Sequence, residues 1–486
     1  MKYFKVAVIC ITTCLLFGGM LPAGLLAEEW PDPKSYIPTL EEMDKLKNFY
    51  DDPRPFMTGL YKKILPPELY KKLSHDPEEM KKAWADAVGF KAPDVVGKIH
   101  PEIKPGKYTW KDVQNNPAFK ELMWQTMFDR IKPPGPPFAG NIPEFEIIPT
   151  RQYYWSLPVS KATKENEGKT KLDDNGYIIA DTLEVGYPFP KPSGKFKAQQ
   201  IIYNWESRYQ NNSFNFYLLG RAYAYDKNLK TDFDGAFWVK GISLSGREVE
   251  PIGFYDERAQ KQGERRCIAF QFTAPRDVAG MTQFATFYID PKKLDSLLMY
   301  LPSMRRLRKM SASDSQDPVG GTDAIYDDNE GFLQKLSPDI YPYKYEVIAE
   351  REYLMPAPSI DGAEYIMSPE KGLGVGNVRM ERRPIFVVQL TQLDKNYVYS
   401  KRVIYFDAER FQLYNSENYD QKGRLYRSWF NPSSFVPELG AGFQGGAVQC
   451  WRDYIDLHTT MRQDVCHLPA YWTRGDLSPQ TLLNQK

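Results

Sequence analysis

Residues 397–430 read YVYSKRVIYFDAERFQLYNSENYDQKGRLYRSWF. Apolar and polar side chains alternate along the runs 397–406, 411–415 and 424–430, and Gln421-Lys422-Gly423 separates the last two. A period of two with turn residues between the runs is typical of antiparallel strands. This stretch therefore predicts a three-stranded up-down-up meander.

The same period continues towards the N-terminus as far as about Tyr177. Further predicted strands are 201–206, 214–218, 284–289, 343–348 and 385–390. Many short strands with turns between them predict a mainly β protein of the α+β class, built on a large antiparallel sheet or barrel. Aromatic residues make up 14% of the chain and fall on both faces of these strands. Either one face packs on helices while the other lines a cavity or a second layer, or both faces form a structural core.

Helical signals are concentrated in the N-terminal part of the chain. A capping box at Thr39 and Glu42 opens one helix, Asp76 caps a second that Gly89 ends, and a third begins at Asn116. These segments predict a helical extension that precedes the sheet.

A proline-rich run, PPGPP at residues 133–137, divides the sequence. Such a run cannot be helical and cannot lie inside a sheet, so it predicts a stiff connector. We therefore predict a helical N-terminal region of residues 28–137. A β domain of residues 138–486, ending in an aromatic C-terminal tail, is predicted to follow it.

Residues 1–27 have the features of a signal peptide. Lys2 and Lys5 precede an apolar run at residues 6–17, and Ala27 offers a small residue at a cleavage site. The apolar run is short for a bilayer span, and an uncleaved membrane anchor is the alternative. Cleavage predicts an exported, periplasmic protein, free or associated with the outer membrane.

Charge and cysteine content exclude some classes of function. The 63 basic and 62 acidic residues leave a net charge of +1, which gives no support for nucleic-acid binding. Beyond the predicted signal peptide lie Cys267, Cys450 and Cys466, and this odd number allows one disulfide and one free thiol. The short loop favours a bridge between Cys450 and Cys466, and three free thiols are the alternative.

Signatures of catalysis fail in this sequence. Residues 440–445 match GxGxxG by letter, but no strand precedes them as dinucleotide binding requires. Cys450, His458, Cys466 and His467 are metal-ligand types, yet their spacing matches no common zinc pattern. The sequence therefore predicts no enzyme, no metal site and no cofactor.

A basic cluster at Arg305, Arg306 and Arg308 is the most distinctive group of charges. On a strand, Arg306 and Arg308 share one face, where they could hold a carboxylate or a lipid phosphate. The alternative is that the cluster pairs with acidic side chains downstream, namely Asp314, Asp317, Asp323 or Asp327.

Several short motifs carry a resemblance to a known family. They are FTAPRDVAG at 272–280, YLP at 300–302, RRLR at 305–308, the segment 320–328, YFD at 405–407 and YDQKGRL at 419–425. In order and spacing they resemble the domain-of-unknown-function family 1329, best over residues 180–430. That family is similar in fold to the outer-membrane lipoprotein-sorting proteins of the LolA/LolB kind.

The resemblance implies a half-open antiparallel β-barrel, closed on one side by helices, with an apolar cavity suited to acyl chains. It also implies partners among RND-type exporters or outer-membrane proteins, and it brings no catalytic residues.

The function predicted from these features is to bind and carry a hydrophobic ligand, such as a lipid or acyl chain. Candidate lining residues are Tyr203, Trp205, Phe214, Phe216, Phe284, Tyr288 and Val387. The alternative is a structural adaptor of an envelope transport complex, with a barrel filled by its own side chains. A lumen above about 300 Å³ would favour the carrier.

Overall fold

The computed structural model describes residues 30–38, 61–210, 215–310, 313–360, 364–444 and 448–484. The predicted signal peptide at residues 1–27, the capping box at Thr39 and Glu42, and Phe214 lie outside the described residues.

Short helices dominate the N-terminal part of the described chain, and strands dominate the rest. Helices α1 to α11 are, in chain order, Tyr61–Ile64, Pro67–Leu73, Pro77–Val88, Ala92–Val95, Trp110–Gln114, Pro117–Leu122, Gln125–Phe128, Leu157–Glu165, Lys197–Glu206, Glu257–Gln262 and Pro479–Asn484. Strands β1 to β19 are Gly106–Thr109, Glu144–Ile147, Phe216–Tyr225, Thr231–Ser243, Glu264–Ala274, Thr282–Tyr288, Ser296–Leu301, Arg306–Lys309, Tyr343–Pro356, Tyr365–Ile366, Val375–Gly376, Val378–Gln392, Lys401–Asp407, Leu413–Tyr419, Leu425–Phe430, Ser433–Val436, Ala441–Gln444, Val448–Asp453 and His458–Pro469.

Most of the strands belong to one large sheet. Fifteen described strands form it in the order β1-β2-β12-β13-β14-β15-β18-β19-β3-β4-β5-β6-β7-β8, and β9 also pairs with β12. The pairing of β2 with β12 is parallel, whereas the neighbouring pairs from β12 to β8 are antiparallel. The chain is therefore mainly β with packed helices, as predicted. Pairings among the described strands leave the sheet open, and the half-open barrel shape stays a prediction.

The predicted meander is confirmed as strands β13, β14 and β15. Its second turn is fixed by Asp420, whose carboxylate accepts hydrogen bonds from the backbone N–H groups of Lys422 and Arg424, each at 2.9 Å. Gly423 in this turn has a φ of 78°, which a residue with a Cβ rarely adopts. Local chemistry thus sets the register of the meander.

The strand predicted at residues 201–206 is wrong, because this segment lies in helix α9. Ala198, Ile201, Ile202 and Trp205 are all buried, and their spacing of three and four residues is that of one helix face. Tyr203 is buried as well. The short apolar run at residues 201–205 fits the period of a strand as well as that of a helix. Ala198, which lies before the run, continues the helical spacing.

Two of the predicted helices lie in the described region. Helix α3 is confirmed, because the Asp76 carboxylate accepts a hydrogen bond from the N–H of Glu78 at 2.9 Å and Gly89 ends the helix with a φ of 90°. Asn116 caps α6 as predicted, but Met123 and Trp124 are extended and divide the third helix into α6 and α7.

One face of strands β12, β13 and β14 is covered by helix α9. Val388, Ile404 and Phe406 on this face form one buried cluster with Ile201 and Trp205 of α9. The helix therefore takes the place of a second layer on the sheet.

The opposite face packs on the N-terminal region. Val387 and Tyr405 form one cluster with Leu69 and Trp124, and the rings of Trp124 and Tyr405 stack with their centroids 5.2 Å apart. Apolar residues from both sides of residue 137 share this cluster, and the domain boundary drawn there stays a prediction. Strands β12 to β14 thus form a double-sided core.

A buried ion cluster lies where β12 and β13 approach the N-terminal region. The Arg383 guanidinium donates to Asp407 at 2.7 Å and to Glu409 at 2.7 Å, and all three side chains are fully buried. Burial by itself would lower the pKa of Arg383, but the charges of Asp407 and Glu409 raise it well above its ordinary value. The two carboxylates therefore favour the charged form of the buried arginine.

The predicted disulfide is wrong, because Cys450 carries a free thiol. Strand pairing places Cys450 opposite Met461, whereas Cys466 lies opposite Leu219 across a different pair of strands. The Arg130 guanidinium lies 3.1 Å from the Cys450 Sγ. The two cysteines are close in sequence, but the hairpin of β18 and β19 places Cys450 opposite Met461 and not opposite Cys466.

We predict that Arg383→Met loses about 3–5 kcal/mol in the free energy of unfolding, since it leaves two carboxylates buried without their cation. Urea unfolding measures this loss. The matched control is Lys82→Met, which breaks an exposed ion pair with Asp86 and should change stability by no more than about 0.5 kcal/mol. Equal midpoints for the two variants would contradict the role given to the buried cluster.

We also predict that Cys450 reacts with a thiol reagent only after unfolding, because its side chain is 1% exposed in the fold. Mass spectrometry should find Cys450 unmodified after alkylation of the folded protein. After alkylation in denaturant without reductant it should find Cys450 modified. An unmodified Cys450 under these conditions would restore the disulfide. Cys267 is the internal control for the reaction in denaturant, because its thiol is also free. In the folded protein, burial raises the pKa of this thiol to about 12.

Candidate functional site

A row of directly paired residues crosses seven neighbouring strands, from β19 to β8. Residues that face each other across an antiparallel pair point to the same side of the sheet. The row therefore lines one face, and its members in spatial order are His467, Leu218, Val239, Phe270, Gln283, Met299 and Arg308.

A cavity of about 110 Å³ lies over this row. Leu218, Val239 and Phe270 form part of its floor, and Val319 and Leu333 cover it from the segment 313–336. A second cavity of about 220 Å³ adjoins the first at four shared residues. Those residues are Phe270, Gln283, Val319 and Tyr326.

The second cavity has a largely apolar lining. Its wall includes Val278, Met281, Leu297, Met299 and Met310. Methionine adapts its shape readily, and Met-lined surfaces accept ligands of different outline. Each cavity alone is smaller than the 300 Å³ that the sequence argument set for a carrier, and the two lie side by side on the same face.

The covering segment 313–336 is held down by a buried carboxylate. Asp327 accepts hydrogen bonds from the Tyr397 hydroxyl at 2.6 Å, the Gln334 amide at 2.7 Å and the Ser315 hydroxyl at 2.9 Å. Burial raises the pKa of Asp327 to about 6, although these hydrogen bonds act to lower it. The segment is therefore tied to the loop before β13 through a group that titrates near neutral pH.

The neighbouring Asp328 makes a second anchor. Its carboxylate accepts hydrogen bonds from the Tyr399 hydroxyl at 2.6 Å and from the Arg402 guanidinium at 2.8 Å. Arg402 and Asp328 are both buried, so this pair is shielded from salt. Two adjacent aspartates thus fix the cover over the cavity.

Three arginines line the first cavity. Arg208 is paired with Glu330, and the Nε of Arg462 lies 2.6 Å from a carboxylate oxygen of the buried Asp464. Arg266 lies over the ring of Phe287 at 4.2 Å. Burial lowers the pKa of Arg208 and lowers that of Arg266 far more. The lining of the first cavity therefore includes charged groups that are buried from water.

Two of the predicted lining residues are placed at cavities. Phe216 lines the first cavity from β3. Tyr288 lines a crevice of about 10 Å³ beside Arg266 and Asp295. A role of either in ligand binding stays a prediction.

The other predicted lining residues lie elsewhere, which corrects the sequence argument. Phe284 and Val387 point to the opposite face of the sheet and join the cluster with the N-terminal region. Tyr203 and Trp205 are core residues of α9, and the Trp205 indole donates to the Phe332 carbonyl at 3.1 Å. Because both faces of the sheet are apolar, the pattern of apolar residues did not indicate which face lines a cavity.

The lining residues of β4 and β5 were not predicted from the sequence. Val239, Ile268 and Phe270 line the first cavity, and Ile268 and Phe270 alternate with polar or small neighbours along β5. The alternation at residues 268–272 was a usable signal for this strand.

The basic cluster lies on the edge strand β8 and the turn before it. Arg305 occupies the turn with a φ of 50°, and Arg306 and Arg308 share the cavity face, opposite Leu301 and Met299. All three arginines are exposed. The linings of the two cavities over the row do not include these three arginines.

Two of the acidic partners considered for this cluster are engaged elsewhere. Asp323 lies 3.0 Å from the His458 ring, and Asp327 is buried and accepts hydrogen bonds from Ser315, Gln334 and Tyr397. These two carboxylates do not neutralise the arginines. The side chain of Asp314 is outside the described residues.

No helix among the described residues has both the length and the apolar character needed to cross a bilayer.

Comparison with known proteins gives a family match and several distant structural likenesses. The sequence profile of the family described as protein of unknown function (DUF1329) matches residues 140–467, more than half of the chain. An uncharacterized protein of Pseudomonas aeruginosa is 21% identical over 324 residues, which are 62% of this chain and 65% of that protein. The chain thus spans 65% of the length of this curated relative.

Three solved structures are similar to this chain at 14% identity. A domain of the outer membrane lipoprotein-sorting class from Vibrio parahaemolyticus has a TM-score of 0.41, covering 59% of this chain and 97% of the domain. A DUF1329 family protein from Desulfovibrio piger has a TM-score of 0.39, with coverages of 57% and 98%. A LolA superfamily protein from Nitrosomonas europaea has a TM-score of 0.35, with coverages of 58% and 98%. At these TM-scores the likenesses carry no weight for function.

We predict that Asp327→Asn changes the pH dependence of stability. Because its folded pKa of about 6 exceeds the usual value near 4, the folded protein holds a proton that the unfolded chain releases between these pH values. Asp327 therefore stabilises the fold most below about pH 4, and this contribution falls until about pH 6. The variant should lack this fall, which amounts to about 3 kcal/mol.

Urea unfolding of both proteins at pH 4, 5, 6 and 7 gives the difference directly. Asp277→Asn, at an exposed position, is the matched control and should keep the profile of the unaltered protein. Parallel profiles for the unaltered protein and Asp327→Asn would contradict the buried, proton-binding carboxylate.

Proposed function

This chain belongs to the DUF1329 family of proteins of unknown function, and we propose that it binds and carries a hydrophobic ligand, a lipid or acyl chain, in the periplasm. The observation that carries this proposal is the pair of adjoining cavities over the row from Leu218 to Met299. The proposed activity is binding, and it includes no catalysis.

The energy of binding would come from the apolar floor of the cavities. Each methylene group moved from water into such a site contributes about 0.8 kcal/mol. Leu218, Val239 and Phe270 follow one another across neighbouring strands, so a chain laid along the row meets an apolar side chain on each strand. This arrangement would select a ligand by the length and flexibility of its chain more than by a fixed shape.

Two features of the chain support the place of action. The signal peptide proposed at residues 1–27 would export the protein to the periplasm. The exposed arginines Arg306 and Arg308 lie on the last strand of the sheet, on the same face as the cavities, where they could meet an anionic membrane surface or an acidic partner. An RND-type exporter or an outer-membrane protein would be such a partner.

A specific observation keeps the adaptor as the second candidate. The first cavity, at about 110 Å³, is small, and helix α9 packs on one face of β12 to β14. A protein that fills its sheet with its own side chains could serve as a docking component of an envelope transport complex.

Mass spectrometry of the organic extract decides between the two candidates. The protein is purified from the periplasm without detergent and then extracted. A defined lipid at near one-to-one yield is expected for the carrier. A blank extract, repeated after incubation with envelope lipids, would favour the adaptor and direct the search to cross-linked partners.

We predict that Val239→Phe weakens binding of a fluorescent acyl probe by about tenfold or more, because the larger ring fills the floor of the cavity. Titration of the probe into the full-length protein measures the dissociation constant. Ile348→Phe, at an exposed strand position, is the matched control and should bind as the unaltered protein does. Equal affinities for both variants would place the probe outside this cavity.

A further inference from the structure

The first cavity contains polar atoms that the fold leaves without hydrogen bonds. Gln412 is 1% exposed and lines the cavity, and both its amide nitrogen and its amide oxygen lack a partner among the described residues. A buried amide without partners is costly, and native proteins rarely retain one without a use. The position is therefore complementary to a group that enters from outside.

A second glutamine lies in the same wall. Gln449 of β18 is 1% exposed, lines the cavity, and has an amide oxygen without a partner among the described residues. It faces Arg462 of β19, whose guanidinium is held by Asp464. Gln412, which directly precedes β14, and Gln449 of β18 thus line the same cavity.

Two further polar atoms extend this set along the cavity. The Gln283 amide nitrogen and the Tyr326 hydroxyl are also buried without partners in the described part of the chain. Gln283 belongs to the paired row on the floor, and Tyr326 belongs to the covering segment. Both also line the second, apolar cavity, so the polar set borders the apolar path.

The charges that line the first cavity favour an uncharged ligand group. Arg208 and Arg462 already have the carboxylates of Glu330 and Asp464, and the charges of Glu206 and Asp295 act on Arg266, so each of the three arginines has an acidic neighbour. Glu330 itself lines the cavity. An incoming anion would meet these negative charges at low dielectric constant, where like charges repel strongly. Amides, by contrast, pair well with neutral groups that both donate and accept.

From this geometry we infer that the ligand is an acyl chain ending in an uncharged group that donates and accepts hydrogen bonds, such as a primary amide or a hydroxyl-bearing ester. Gln412 and Gln449 bind the head group. The acyl chain lies along Val239 and Phe270 towards the second cavity. This inference rests on the proposed function and adds the chemical class of the ligand to it.

A series of probes with one chain length tests the inference. Dodecanamide, monododecanoyl glycerol, dodecanoate and dodecyl phosphate compete for the site with a fluorescent acyl probe at pH 8, with the full-length protein. The two neutral compounds are expected to bind about tenfold more tightly than the two anions, as one or two neutral hydrogen bonds in a buried site allow.

Gln412→Leu should abolish this preference and leave binding of dodecanoate within about twofold. Gln260→Leu, at an exposed position of α10, is the matched control and should keep the preference. Without ligand, Gln412→Leu should unfold at the same or a higher temperature, because it removes an unpaired buried amide.

Three results would overturn the inference. Anions that bind as tightly as the neutral compounds would remove the head-group assignment and leave the carrier function standing. A lower unfolding temperature for Gln412→Leu would show that its amide makes structural hydrogen bonds. A failure of all four probes to displace the fluorescent compound would refute the proposed function itself, and the inference with it.

Discussion

The buried cluster of Arg383, Asp407 and Glu409 is the constraint on which the rest of the fold depends. Beyond its ion pair, the Glu409 carboxylate accepts hydrogen bonds from the backbone N–H groups of Ala92 at 2.8 Å and Tyr153 at 3.0 Å. One side chain thus joins the sheet to two segments that lie hundreds of residues earlier in the sequence. Because a buried charge is tolerated only when its partners are complete, these segments have to be in place together.

This arrangement divides the sheet into a filled part and a hollow part. Strands β12 to β14 are covered on both faces by apolar side chains of the chain itself. Strands β3 to β6 keep a dense core on one face and leave cavities on the other, under a segment held by Asp327 and Asp328. The part of the sheet that is packed on both faces therefore supports the part that carries the cavities. Binding sites are commonly held by a scaffold in this way.

The fold was more predictable from the sequence than the site was. Period-two alternation found the meander of β13 to β15, because each of its strands forms beside its neighbour in sequence. The face that lines the cavity depends instead on pairings such as Leu218 with His467, which local pattern does not contain. The same limit applies to Phe284, a predicted lining residue, because its neighbour Gln283 faces the cavity instead. It also explains Cys450, which strand pairing places opposite Met461.

The strand β8 ends the sheet in the described part of the chain and carries the run Arg306-Leu307-Arg308-Lys309. The outer backbone groups of such a strand offer a template on which a second sheet can grow. Three cations in four residues make that addition unfavourable between identical copies, since their edges repel each other. The same run that draws attention as a binding motif therefore also protects a long, aromatic-rich sheet from polymerising through its open side.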